Sequence, residues 1–197
     1  MTTEIERRSF SIDELRIETR DGKTRMHGHA AVFNALSEDL GGYREQILAG
    51  AFAEAITKDD IRALWNHNPD FVLGRNRAKT LILAEDSRGL AIEIIPPDTQ
   101  FARDLMQSIE RGDVDQMSFA FSPKPGGQDW AQDDEGRVIR TLKNVRLFDV
   151  SPVTYPAYTQ TDIGVREMRA WQATLGAGAT SEQWRNDNRR RRLALAA

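Results

Sequence analysis

The chain has 197 residues, 40% of them hydrophobic, and a formal net charge of -3, enough for one well-packed core but not for two full domains. A pI near 5.7 argues against nucleic-acid binding through overall charge, so no specific nucleic-acid partner is expected. The absence of cysteine excludes a disulfide scaffold, a cysteine nucleophile and thiolate metal ligation.

The N-terminal segment, Met1 to Arg8, lacks an apolar signal core, and no apolar run approaches the roughly 18 residues of a membrane span. A soluble, cytoplasmic protein with no membrane partner is expected. Lys23 to Phe33 carries strand-like residues around His27 and His29. Gly41-Gly42 marks a loop, and Ala49 to Lys58 reads as a helix with Phe52 and Ile56 four apart on one face. Thr80 to Glu85 and Gly89 to Ile95 read as strands joined by the turn Asp86-Ser87-Arg88-Gly89, with Pro96-Pro97 ending the second. Asp98 or Thr99 caps the next helix, in which Phe101, Leu105 and Ile109 recur every four residues before Gly112 stops it.

Asp115 to Ser122 alternates, with Met117, Phe119 and Phe121 on one face and Ser118, Ala120 and Ser122 on the other. Pro123 to Gly136 reads as a polar loop at a hairpin tip, and a further strand runs from about Arg137 to Val150. After about Arg166 the character changes: Leu175 to Ala179 is flexible in composition and Arg189 to Arg192 is a run of arginines. Residues 1–165 thus read as one domain and 166–197 as a basic, flexible C-terminal tail. There is no internal repeat.

Three segments each set one reactive side chain in an apolar frame. His67 lies in Leu64-Trp65-Asn66-His67-Asn68-Pro69, at the end of a strand or short helix where an imidazole can be fixed yet reachable. Ser118 stands on the small-residue face of its strand, with room beside it for a substrate carbonyl. Asp149 sits in Phe148-Asp149-Val150-Ser151-Pro152-Val153-Thr154-Tyr155-Pro156-Ala157-Tyr158, in strand register with Val145, Leu147 and Ser151, where a carboxylate needs a histidine or arginine partner. Together they supply base, nucleophile and orienting acid for a serine hydrolase. Taken singly, His67 is also a surface-loop histidine, Ser118 an ordinary strand serine, and Asp149 a structural ion-pair partner for Arg146 or Arg166. No Gly-x-Ser-x-Gly elbow occurs, which disfavours an α/β-hydrolase.

The ordered segments resemble the prohead proteases of tailed bacteriophages, the capsid-maturation serine proteases. The likeness runs from about Met26 to Tyr158. It comprises Gly28-His29-Ala30-Ala31-Val32-Phe33-Asn34, Glu45 to Phe52, Leu64 to Pro69 with Val72-Leu73-Gly74, Met117 to Phe121, and Asp149 to Tyr158. The resemblance implies a mainly β, α+β fold related to herpesvirus assemblin, a mostly antiparallel β-barrel surrounded by helices. It implies that His67 is the general base and Ser118 the nucleophile. Asp149 is then the acid, where the herpesvirus relatives use a second histidine.

It further implies cleavage of scaffolding protein, or of a scaffold-like segment of the major capsid protein, and self-cleavage. These partners would be met inside the assembling procapsid in the bacterial host cytoplasm. The assemblin likeness implies a homo-oligomer such as a dimer, and no cofactor or metal is expected. Backbone amides or an arginine such as Arg166 would stabilise the oxyanion. Two other readings compete: a catalytically inactive capsid-assembly factor that binds scaffold, and a metal-dependent hydrolase using His27, His29 and His67, whose ligand set is incomplete by type and spacing.

Overall fold

The structure, a computed structural model, describes residues 4–11, 15–20, 22–155 and 162–178. Its strands are β1 (Glu6–Ser11), β2 (Arg16–Arg20), β3 (Lys23–Val32), β4 (Arg44–Ile47), β5 (Arg62–Trp65), β6 (Asn68–Arg75), β7 (Leu81–Glu85), β8 (Gly89–Ile94), β9 (Gln116–Pro123), β10 (Gln128–Gln132), β11 (Val138–Leu142) and β12 (Val145–Val153). The helices are α1 (Ala53–Lys58), α2 (Gln100–Glu110) and α3 (Asp162–Gly178).

The strands form three sheets, ordered β1-β9-β12-β5-β6, β2-β3-β8-β7 and β10-β11-β4. The fold is mainly β with a few helices, as the sequence leads one to expect, but no closed barrel forms among the described residues. Closure would require β1 and β6, the outer strands of the five-stranded sheet, to meet. Instead β6 runs into a 3-10 turn at Asn76–Ala78, with Lys79 in the left-handed region (φ 59°), and the chain passes into the four-stranded sheet.

The main core joins these two sheets. Met26 and Ala30 of β3 and Ile92 and Ile94 of β8 cluster with Met117, Phe119 and Phe121 of β9 and Leu147 and Val150 of β12. Ala102, Leu105 and Ile109 of α2 complete the cluster; of the four-residue series read from the sequence, Leu105 and Ile109 are buried in it and Phe101 packs against it half-buried. Phe52 stands edge-on to Phe119 with ring centroids 5.5 Å apart. Burying side chains of this size stabilises the fold by about 1.5–3 kcal/mol each.

Three elements depart from the sequence expectation. The helix expected from Ala49 starts at Ala53, because Gly50 (φ 93°) still belongs to the preceding turn. The Glu85 carboxylate accepts the N–H groups of Gly50 (2.9 Å) and Phe52 (2.8 Å), so the acceptor comes from β7 rather than from a local cap. The polar stretch 123–136 contains β10, whose single large apolar residue, Trp130, packs on Tyr43 with centroids 5.0 Å apart. The strand expected over 137–150 is two strands in different sheets, divided at Lys143-Asn144.

The boundary expected at residue 165 falls inside α3. Val165, Met168 and Trp171 recur every three residues along it and pack with Leu40, Tyr43, Val138 and Trp130 in a second cluster. The arginine run 189–192 lies outside the described residues.

Candidate active site

His67 occupies the tip of the β5–β6 hairpin. Trp65 pairs with Asn68, and the two residues between them, Asn66 (φ 54°) and His67 (φ 55°), both have positive φ. That is the signature of a type I′ turn, whose second position ordinarily takes glycine. A histidine held there costs conformational energy that the surroundings must offset.

The offset is visible in the contacts of Asn66. Its backbone N–H donates to the Pro152 carbonyl (3.0 Å), its Nδ2 donates to Thr154 Oγ1 (3.2 Å), and its Oδ1 accepts the Thr154 N–H (2.9 Å). The hairpin tip is thereby tied to the C-terminal end of β12. Asn66 and Thr154 belong to two of the ordered sequence segments, which their hydrogen bonds connect.

Ser118 is presented by β9, which pairs on one side with β1 (Ser9 opposite Ser118) and on the other with β12 (Ser151 opposite Ser118). Asp149 reaches the same face through a bulge. Leu147 pairs with Phe121 but Asp149 pairs with Ala120, so one extra residue, Phe148, is inserted between them. Uninterrupted alternation, the register expected from sequence, would put Asp149 on the core face with Leu147. The bulge reverses this, and Asp149 lies with Ala120, Ser118 and Ser151.

The three side chains meet. His67 Nε2 is 2.7 Å from Ser118 Oγ, and His67 Nδ1 is 2.5 Å from Asp149 Oδ1. Ser151 Oγ donates to the same carboxylate oxygen at 2.7 Å. Ser118 and Ser151 have no exposed surface, and the His67 side chain is 9% exposed. His67 also lines an open cleft of about 250 Å³, with Arg7, Asn66, Val153 and Tyr155. A larger cavity of about 300 Å³ beside α3 contains none of these three residues.

The other candidates go elsewhere. His29 bonds Asp86 (2.8 Å), and His27 lies 3.6 Å from Glu18 and 3.9 Å from Glu93, both histidines on β3 of the four-stranded sheet. Among the described residues, no three metal-ligating side chains converge. Arg146 stacks over Phe148, and Arg166 bonds Glu4.

β1, absent from the sequence reading, is fixed beside β9 by a buried ionic network. Arg8 bonds Glu45 (2.8 and 3.0 Å) and Glu6 (2.8 Å), while Arg140 bonds Glu6 (2.7 and 2.8 Å), Glu45 (3.0 Å) and Glu167 (2.8 Å). Glu6, Arg8, Glu45 and Arg140 are all buried. Burial pushes the Glu6 carboxyl up, but Arg140, and then Arg8, outweigh that and hold it below its ordinary 4.5. Burial likewise works against the charged form of Arg140, and its carboxylate partners, Glu6 foremost, raise its pKa nonetheless.

Comparison with known proteins bears on the chain as a whole. The profile of a family described as caudovirus prohead serine protease matches residues 11–174. No curated protein matches. Among solved structures, the capsid assembly protease of bacteriophage T4, gp21, is similar over 78% of this chain and 98% of that one, with a TM-score of 0.50 and 11% identity, a likeness of fold.

Proposed function

Because the chain belongs to the caudovirus prohead serine protease family, we propose that it is a serine endopeptidase of capsid maturation with Ser118 as nucleophile, His67 as general base and Asp149 as the acid that orients the imidazole. The observation that carries this reading is the unbroken relay of 2.7 and 2.5 Å from Ser118 Oγ through both ring nitrogens of His67 to Asp149.

In the resting state Nδ1–H donates to Asp149, which leaves Nε2 to accept the Ser118 hydroxyl proton. As Oγ attacks the peptide carbonyl, the proton passes to Nε2, and the Asp149 carboxylate stabilises the imidazolium. The proton then goes to the leaving amine, and water repeats the sequence to release the acyl group. Ser151, donating to Asp149 Oδ1, helps hold the carboxylate in line. Ser118 has no exposed surface and does not line the cleft that His67 lines, so a substrate carbonyl reaches Oγ only when neighbouring side chains give way.

The substrates in this reading are scaffolding protein or a scaffold-like segment of the major capsid protein, met inside the procapsid, and the chain itself. Incubating wild type and Ser118→Ala with the cognate scaffold tests it. Loss of the nucleophile should lower cleavage by several orders of magnitude, and a fluorophosphonate should label wild type alone. Cleavage by Ser118→Ala at the wild-type rate would exclude Ser118 as nucleophile. A wild type that neither cleaves nor labels in the presence of assembling capsid protein would leave a binding factor in its place.

A further inference from the structure

β1 divides its side chains between two environments. Glu6 and Arg8 turn into the buried network, and strand alternation sends Arg7 and Ser9 the other way. The antiparallel register sets Ser9 opposite Ser118 and Arg7 opposite Ala120. Directly opposed residues share a face, so Arg7 is a diagonal neighbour of Ser118, at a separation of about 7–8 Å that a long side chain spans.

Arg7 is exposed and lines the same cleft as His67. Of the residues lining that cleft, Arg7, Asn66, His67, Val153 and Tyr155, none is acidic. Asn66 has its amide committed to Thr154. Asp149 is committed to His67 and Ser151. The guanidinium of Arg7 is bonded by no carboxylate of the described residues. A fork of N–H donors therefore lines the cleft that His67 lines, with no carboxylate partner among the described residues. A planar guanidinium matches a carboxylate in two parallel hydrogen bonds.

On the premise that Ser118 is the nucleophile, we propose that Arg7 is a specificity-determining residue that receives an aspartate or glutamate side chain of the substrate next to the scissile bond. Val153 and Tyr155 supply apolar walls for its methylene groups. The buried network serves this role indirectly, because it locks the register of β1 and so fixes where Arg7 stands.

Peptides spanning a cleavage site mapped in the scaffold, with Glu, Gln or Lys placed in turn at each flanking position, test the assignment on the full-length protein. At one position the wild type should show kcat/KM for Glu over Gln of about tenfold or more, the value of a charge-assisted pair in a partly enclosed site. Arg7→Ala should bring that ratio to about one, and Arg7→Glu should favour Lys at the same position. Circular dichroism and thermal melting check that both variants fold, and Arg7→Lys, retaining the charge without the fork, should keep part of the ratio. A wild type indifferent to Glu against Gln at every position, or a ratio that survives Arg7→Ala, overturns the proposal, as does a uniform loss of rate with the ratio kept. Fluorophosphonate labelling separates this from the underlying function: a protein that labels at Ser118 yet shows no acid preference refutes the Arg7 assignment alone. Cleavage that persists in Ser118→Ala removes the nucleophile and the Arg7 assignment with it.

Discussion

Replacing Arg140 by methionine should be among the most damaging single changes in the chain outside the catalytic relay. Its side chain has no exposed surface, and its nitrogens make five hydrogen bonds, to Glu6, Glu45, Glu167 and Gln128. Glu6, Glu45, Arg8 and Arg140 are buried charges that cancel. Arg140→Met leaves an excess negative charge on Glu6 and Glu45, and breaking a buried pair from one side costs about 3–5 kcal/mol. For a chain of this length that corresponds to a fall in Tm of about 10 °C. Glu6→Gln alone leaves the opposite imbalance. The double variant restores neutrality, with Arg8 still bonded to Glu45 at 2.8 Å, so its destabilisation should fall short of the sum of the singles by about 2 kcal/mol. Urea unfolding followed by far-ultraviolet circular dichroism gives all three values. A loss below about 1 kcal/mol for Arg140→Met, or strict additivity in the double variant, would refute the picture of a charge-balanced buried network.

Acid stability should depend on the same network. The folded-state pKa of Glu6 lies below its ordinary 4.5, so the folded protein binds fewer protons there than the unfolded chain. Its contribution is complete above about pH 4.5 and is lost as pH falls through the folded value; Glu6→Gln should flatten that part of the stability curve measured by denaturation from pH 6 to pH 3. Asp149→Asn should lower kcat by about four orders of magnitude with little change in fold, because the imidazole loses the partner that fixes its tautomer; steady-state kinetics with unchanged circular dichroism checks it. Gly164→Ala would place a Cβ 1.9 Å from the Tyr43 hydroxyl, so α3 or the buried Tyr43 ring must shift, at a cost of about 1–3 kcal/mol. The fluorescence of Trp171, which stacks on Trp130 at 6.4 Å, should report the displacement.

The sequence carried the candidate site further than it carried the fold around it. His67, Ser118 and Asp149 stand out because each is a reactive side chain in an apolar frame, and the fold brings them together. The turn that holds His67 was hidden because its second position is histidine where glycine would announce a hairpin. The bulge at Phe148 has no glycine or proline to mark it, so alternation alone puts Asp149 on the wrong face. β1 was invisible for a different reason. Charged residues such as Glu6 and Arg8 read as solvated, and the partner that makes their burial possible, Arg140, lies more than 130 residues away from Glu6. β10 fails the alternation test because the residues that share a face with Trp130, Gln128 and Gln132, are polar, which leaves Trp130 as the strand's one large apolar side chain. Local patterns thus reveal residues whose chemistry is intrinsic, and miss those whose environment is assembled from distant parts of the chain.

The family profile begins at residue 11, where β1 ends. A protein trimmed to that span would keep every residue of the relay and lose the strand that flanks Ser118. β9 would become the rim of its sheet, with a row of backbone donors and acceptors open to solvent, and such rims recruit strands from other molecules. Self-association of a minimal fragment would then say nothing about the oligomer of the intact protein. Expression boundaries for this chain belong upstream of Glu6, at the edge of the folded sheet and not at the edge of sequence similarity.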